Sequence, residues 1–200
     1  LDLAGGTTGA AAERLGRALA RQHQAPQSAF GWNRDNWIGA SPQPNPVDAD
    51  WCRFFSEHRL GFQLELARRN GFGEALGRPG KALLRELPEL LADHRPAPAL
   101  LHGDLWSGNW GATPTGQPYV FDPAVYRGDR EADIAMTRLF GGFPPAFYQA
   151  YQAELPLPDG WQRRSILYNL YHVLNHLNLF GSGYLRQSQQ MMAELGAALP

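Results

Sequence analysis

The chain has 200 residues and a mass of 22.2 kDa, with 44% hydrophobic, 12% aromatic and 18% charged residues; that is enough apolar chain to bury a core, and it excludes a disordered segment. Eighteen basic against nineteen acidic residues give a net charge of -1 and a pI near 6.7, so no field gathers a phosphate backbone or an anionic bilayer, and neither nucleic acid nor membrane is an expected partner. Cys52 is the lone cysteine, no apolar run reaches the ~20 residues of a membrane span, and no basic-then-apolar leader opens the chain, so a reducing, cytoplasmic compartment is expected.

In chain order, Leu1-Asp2-Leu3 before Gly5-Gly6-Thr7-Thr8-Gly9 reads as a strand end entering a turn, so the chain is expected to start part-way through a fold. Residues 10–23 have the spacing of an amphipathic helix, capped by Thr8 or Gly9, with Ala11, Leu15, Ala18 and Leu19 on one face. The stretch 24–50, punctuated by Pro42, Pro44 and Pro46, predicts an ordered loop. Trp51, Phe54, Phe55, His58, Phe62 and Leu66 then recur at three-to-four spacing, which predicts a long helix with a buried stripe. A leucine-rich helix over 83–91 is expected to bend or divide at Pro88. Two short apolar runs, 98–102 and 119–122, read as strands joined by a turn-rich loop, their ends presenting carboxylates. Four helices follow, over 131–140, 145–155, 159–180 and 184–199. No repeat or linker divides the chain, so the expectation is one α+β domain over residues 1–200, mostly helical, with a short β-hairpin region.

The chemistry-bearing run is His102-Gly103-Asp104-Leu105-Trp106-Ser107-Gly108-Asn109, followed by Phe121-Asp122-Pro123. It fits H-x-D-x-x-x-x-N with a downstream Asp, the arrangement of a kinase catalytic loop. In phosphoryl transfer one carboxylate orients the attacking hydroxyl and accepts its proton, while an Asn on the same loop and an Asp on the next strand hold Mg²⁺ on the phosphates of ATP. Asp104 is then the expected base, and Asn109 and Asp122 the expected ligands of the metal and its nucleotide. His102 is expected to brace the loop rather than move protons. Two plainer readings stay open. Asp104 and Asp122 as turn caps, with Asn109 in a left-handed turn, leaves the joint spacing unexplained; His102 with Asp104 as part of a hydrolytic metal site lacks further ligands in the run.

Gly128-Asp129-Arg130-Glu131-Ala132-Asp133-Ile134-Ala135 resembles the G-D-x-x-x-D-[IL]-A element of aminoglycoside phosphotransferase-like small-molecule kinases. That resemblance implies that Asp133 opens a helix and accepts hydrogen bonds from the catalytic-loop backbone; a plain helix N-cap is the simpler reading. Leu101-His-Gly-Asp-Leu-Trp-Ser-Gly-Asn109, Val120-Phe-Asp-Pro-Ala124, Leu139-Phe-Gly-Gly-Phe143 and the run from Leu167 to Gly181 are similar to the fructosamine kinase (ketosamine 3-kinase) family. Phe30-Gly31, Asp35-Asn36 and Pro42-Gln43 with Asn45 extend the likeness to nearly the whole chain. It implies a protein kinase-like C-terminal lobe, ATP and Mg²⁺ as cofactors, and phosphorylation of the 3-hydroxyl of a small-molecule ketosamine or glycated amine, of ribulosamine or fructosamine type, in deglycation. The alternatives are a phosphotransferase of the same fold acting on an aminoglycoside, choline or homoserine, and a lobe that binds without turnover.

For such a substrate Trp106 is the candidate stacking platform, with packed core as its other reading. His172 and His176, one helical turn apart, read as pocket or core polar residues. Asn175 and Asn178 read as substrate contacts or as caps of buried hydrogen bonds. Lys81 is the only lysine and falls in an expected surface helix, and no G-x-G-x-x-G precedes the loop. The nucleotide-binding N-terminal lobe is therefore expected to be absent, and the chain alone to bind ATP poorly.

Overall fold

The computed structural model describes residues 8–197, so the strand end expected at Leu1-Asp2-Leu3, the first part of the Gly-rich turn and the tail of the last expected helix lie outside the described residues. The architecture is mixed α and β, mostly helical, with short strands. Helix α1 (Gly9–Gln24) starts where the Thr8 hydroxyl accepts the Ala11 N–H at 3.2 Å. Its buried face is Ala11, Ala12, Leu15, Gly16, Leu19, Ala20 and His23; Ala18, expected on that face, is exposed. Phe147 and Tyr151 of α6 (Pro145–Glu154) join this face, together with Leu105 and Trp110, in one apolar cluster.

The expected loop 24–50 is ordered but contains a hairpin, β1 (Asn36–Ile38) antiparallel to β2 (Ser41–Gln43). No apolar alternation announces it, because side-chain amides hold it in place. Asn36 Oδ1 accepts from Gln43 and from Asn45, each at 2.8 Å, and Asn36 Nδ2 donates to the Val125 carbonyl at 2.7 Å. Arg59, wholly buried, donates to the Pro44 carbonyl and to Asn45 Oδ1, each at 2.7 Å, and its guanidinium lies 4.0 Å from the Tyr126 ring centre.

From Trp51 to Leu90 the chain is helical without being α-helical throughout. It runs through α2 (Trp51–Phe55), a π-helical turn Ser56–Gly61, α3 (Phe62–Ala67), a second π turn Arg68–Phe72 kinked at Gly71 (φ 90°), and α4 (Gly73–Leu90). The expected stripe holds for Trp51, Phe54 and Phe55 and then slips by one residue. Arg59, Leu60, Gln63 and Ala67 are buried, while His58, Phe62 and Leu66 are half-buried. At ~3.6 residues per turn an α-helix drifts by about 40° at each four-residue step, and the wider π turn absorbs that drift. Pro88, expected to bend or divide its helix, lies inside α4 together with Pro79 and does not end it. Leu76, Leu83 and Leu87 bury one side of α4, and exposed Pro88 sits near the helix end, where few backbone bonds remain to lose.

The strand pairing also differs from the expected hairpin. β3 (Ala99–Leu101) pairs antiparallel with β6 (Tyr126–Gly128), Leu101 opposite Tyr126, while β5 (Pro118–Val120) pairs with β4 (Trp110–Ala112), Val120 opposite Trp110. Strand β4 is concealed in the sequence because Trp110, Gly111 and Ala112 are all buried and show no period of two. The ladders nest. The connections 102–109 and 121–125 both run between the Leu101/Tyr126 end of one ladder and the Trp110/Val120 end of the other, so they lie side by side. Helices α5 (Glu131–Leu139), α7 (Trp161–Phe180) and α8 (Leu185–Ala197) complete the chain, with Tyr168, Leu170, Tyr171, Leu174 and Leu177 of α7 in the larger apolar cluster. Among the described residues, no helix is long and apolar enough to cross a membrane.

Candidate active site

The connection 102–109 is fixed by its backbone before any functional side chain enters. Asp133 accepts consecutive N–H groups, from His102 at 2.8 Å on Oδ2 and from Gly103 at 2.9 Å on Oδ1. Burial pushes the Asp133 carboxyl up, but the hydrogen bond and charge of His23, with His102 and the Gly103 N–H, outweigh it and hold the group below the usual carboxylate range. Gly103 has φ +83°, and a Cβ there would stand 2.0 Å from the Ala124 carbonyl oxygen, so only glycine lets the two connections touch. The His102 ring accepts the Asp104 N–H on Nδ1 at 3.3 Å and donates from Nε2 to the Phe121 carbonyl at 3.0 Å. Both its nitrogens are thus engaged in bracing one connection against the other.

On this frame sits Asp104, half-buried. Burial pushes its carboxyl up to about 6, the negative charges of Asp122 and Asp133 adding to the effect and the Asn109 amide opposing it. Asn109 is buried, and its Nδ2 donates to the Asp104 carbonyl at 2.9 Å and approaches Asp104 Oδ2 at 3.4 Å, a bond that leaves the amide oxygen out. Asp122 follows β5, exposed and left-handed at φ 56°, a conformation that costs a non-glycine residue on the order of 1–3 kcal/mol. The Phe121 N–H donates to the Asn109 carbonyl at 3.1 Å, tying the two connections together next to Asp122. Oxygen donors with carboxylates that repel one another suit a hard divalent cation. A carboxylate poised near neutrality beside them can take the proton of a hydroxyl during phosphoryl transfer.

Sequence reasoning missed the group behind Asp133. His23 Nε2 donates to Asp133 Oδ2 at 3.2 Å, its Nδ1 meets the Tyr151 hydroxyl at 2.9 Å, and Arg130 donates to that hydroxyl at 3.2 Å. The signal was available: Leu15, Leu19 and His23 are four residues apart, which places the histidine on the buried face of α1.

The candidate substrate residues separate. Trp106 is 37% exposed. His176 is half-buried among aromatic rings, and buried His172 is held down to about 3 by burial and then by His176. Asn175 and Asn178 face α3: Asn175 Oδ1 accepts from Gln63 at 3.3 Å, and Asn178 donates to Gln63 Oε1 at 2.8 Å and accepts from Asn70 at 3.0 Å. These partners give Asn178 a bracing task between α7 and α3. Among the described residues, His94, Asp129 and Glu131 alone group His and carboxylate atoms within reach of one metal ion. Asp129 Oδ2 already accepts from Tyr168 at 2.6 Å and Glu131 grips Arg164 at 2.7 and 2.8 Å, so this group joins α5 and α7 as a structural network.

A loop clamped through its backbone by a helix-borne Asp, with a candidate base and oxygen donors on adjacent connections, is the kind of arrangement a kinase-like phosphotransferase uses. Comparison with known proteins agrees. The fructosamine kinase family profile matches residues 1–198. A probable ketoamine kinase of Synechocystis is 56% identical over 183 residues, covering 90% of this chain and 61% of that protein. A chloroplastic protein-ribulosamine 3-kinase of Arabidopsis thaliana is 45% identical over 182 residues, covering 90% and 55%. The crystal structure of a putative fructosamine-3-kinase from Thermobifida fusca superposes with a TM-score of 0.87 at 36% identity, covering 96% of this chain and 66% of that one. The chain belongs to the fructosamine kinase family, and it spans less than two thirds of the length of these relatives.

Proposed function

We propose that this chain carries the catalytic loop of an ATP-dependent ketosamine 3-kinase, that residues 1–200 correspond to the C-terminal lobe of a protein kinase-like fold, and that a ribulosamine-type adduct is the substrate. The observation that carries the reading is Asp104 held near neutrality on a loop whose backbone Asp133 clamps, with Asn109 bonded to it. The names of the Synechocystis and Arabidopsis relatives supply the substrate class. In the transfer, Asp104 accepts the proton of the sugar 3-hydroxyl as that oxygen bonds to the γ-phosphorus of ATP and the bond to ADP breaks. Asn109 and Asp122 would hold Mg²⁺, which neutralises charge on the phosphates when bound. His102 and Asp133 keep the loop in register and touch no reactant. The full-length protein is expected to convert a ribulosamine and Mg-ATP into a sugar phosphate and ADP, read by phosphorus NMR with an aminoglycoside as control. Phosphorylation of the aminoglycoside alone would overturn the substrate class, and no transfer to either would overturn the activity.

A further inference from the structure

The connection that carries Asp122 is held at both ends, by different parts of the molecule. Upstream the catalytic loop grips Phe121, whose N–H donates to the Asn109 carbonyl at 3.1 Å and whose carbonyl accepts from His102 Nε2 at 3.0 Å. Downstream the holder is the β1–β2 hairpin. Gln43 Nε2 donates to the Ala124 carbonyl at 3.1 Å, and Asn36 Nδ2 donates to the Val125 carbonyl at 2.7 Å. Gln43 is 1% exposed, and both ends of its amide are engaged: Nε2 also donates to Asn36 Oδ1 at 2.8 Å, and Oε1 accepts from the Tyr171 hydroxyl of α7 at 2.8 Å. A carbonyl can only accept, so the Ala124 oxygen fixes which way round the amide sits. That oxygen is also the atom on which the catalytic loop closes, since a Cβ on Gly103 would stand 2.0 Å from it.

Between the two holds stand Asp122, left-handed at φ 56°, and Pro123. A non-glycine residue keeps such a backbone only where its surroundings over-determine it. Pro123 has a ring-locked φ and no N–H, so it adds no donor to the hold. Asp122 itself is exposed, so the aim of its carboxylate is set by the backbone on either side rather than by packing. We propose that Gln43 is a positioning residue for the candidate metal ligand Asp122, fixing the Ala124 carbonyl so that the left-handed turn presents the carboxylate beside the catalytic loop, an inference that rests on the metal role proposed above. Gln43 touches no reactant and acts through the backbone of residues 122–124. Its bond to Tyr171 fastens the same connection to α7, which a hairpin serving only its own strands does not require.

The test uses the full-length enzyme with Mn²⁺ in place of Mg²⁺ and a non-hydrolysable ATP analogue, so that metal binding is read by electron paramagnetic resonance without turnover. Gln43→Met, which keeps the length of the side chain and removes its donors, is expected to weaken Mn²⁺ binding about 10- to 100-fold, the loss that follows removal of a group orienting a metal ligand. The KM of the ribulosamine is expected to keep its wild-type value. In a protein already carrying Asp122→Asn, Gln43→Met should weaken Mn²⁺ no further, because a residue that acts through Asp122 has nothing left to act through. Should the buried substitution unfold the protein, Asn36→Ala, at a half-buried position holding the same connection, is read in the same way and should give a smaller loss of the same sign. Unchanged Mn²⁺ affinity in a folded variant, an equal loss in the Asp122→Asn background, or a shift in the ribulosamine KM as large as that in metal affinity would overturn the positioning role and leave the proposed function standing. Mn²⁺ binding that Asp122→Asn alone leaves at wild-type strength would overturn the metal role of Asp122, and the inference with it.

Discussion

Asp133 and Asp104 are the same side chain on two sides of one hydrogen-bonded frame, and their surroundings push them in opposite directions. Asp133, buried at the start of α5, receives two backbone N–H groups and the His23 ring, and its carboxyl lies below the usual range. Asp104, less buried, faces Asp122 and Asp133 and has the Asn109 amide as its opposing contact, and its carboxyl is pushed up to about 6. The lesson is that depth of burial does not set the charge of a carboxylate; the balance of donors and like charges does. The satisfied one holds the frame, and the unsatisfied one is free to take a proton.

Several substitutions in the full-length protein would break or sharpen that contrast. Asp104→Asn should lower kcat by about 100- to 10,000-fold, as removal of a general base does. It should also stabilise the fold. A carboxyl raised from about 4 when unfolded to about 6 when folded costs stability above the folded value, and the cost fades as pH falls towards the unfolded value, so at neutral pH its removal returns roughly 2 kcal/mol in denaturant unfolding. For the same reason kcat/KM should fall as pH drops through about 6, with protonation of Asp104. Asp133→Ala has the opposite stability sign: two buried N–H groups and His23 lose their acceptor, for an expected loss of about 3 kcal/mol or more by the same unfolding measurement. His23→Phe removes one donor to that carboxylate and should cost about 1–3 kcal/mol, lowering kcat with little change in the KM of ATP. Asp122→Gly gives the smallest stability effect, a gain of about 1 kcal/mol from relief of the left-handed backbone at φ 56°, together with loss of transfer activity.

Much of this site is written in local spacing. The candidate run from His102 to Asn109 and the candidate positions Asp122 and Asp133 stand out in the sequence, because polar residues at a fixed spacing just after short apolar runs mark strand ends and a helix start. The nested ladders are not legible: β4 has three buried residues and no alternation, and β3 finds its partner β6 beyond the intervening β4–β5 hairpin. The amide knot of Asn36, Gln43 and Asn45 is equally hidden, since polar residues in a Pro-rich stretch carry no periodicity even when they organise the backbone. Arg59 escapes notice because sequence patterns place arginine at the surface, whereas here carbonyls, an amide and aromatic faces replace its water. Asn178 shows the converse, a position for which spacing leaves two readings open. Its place on α7 suits a substrate contact or a cap of buried hydrogen bonds, and only the facing helix α3 shows its bonds to Gln63.

The π turn at Ser56–Gly61 has a consequence for length variation along the chain. A π turn is an α-helix with one residue too many, accommodated as a local widening. Deleting a residue inside α7 would rotate everything downstream by about 100° and carry Tyr171 and Leu174 off their shared face. Deleting exposed Glu57 would instead tighten the π turn into regular helix and return Arg59, Leu60, Gln63 and Ala67 to the face they already occupy. A shortening at Glu57 should therefore lower the melting temperature far less than one at Asn169, and this stretch is where the helix has room to lose a residue and keep its core.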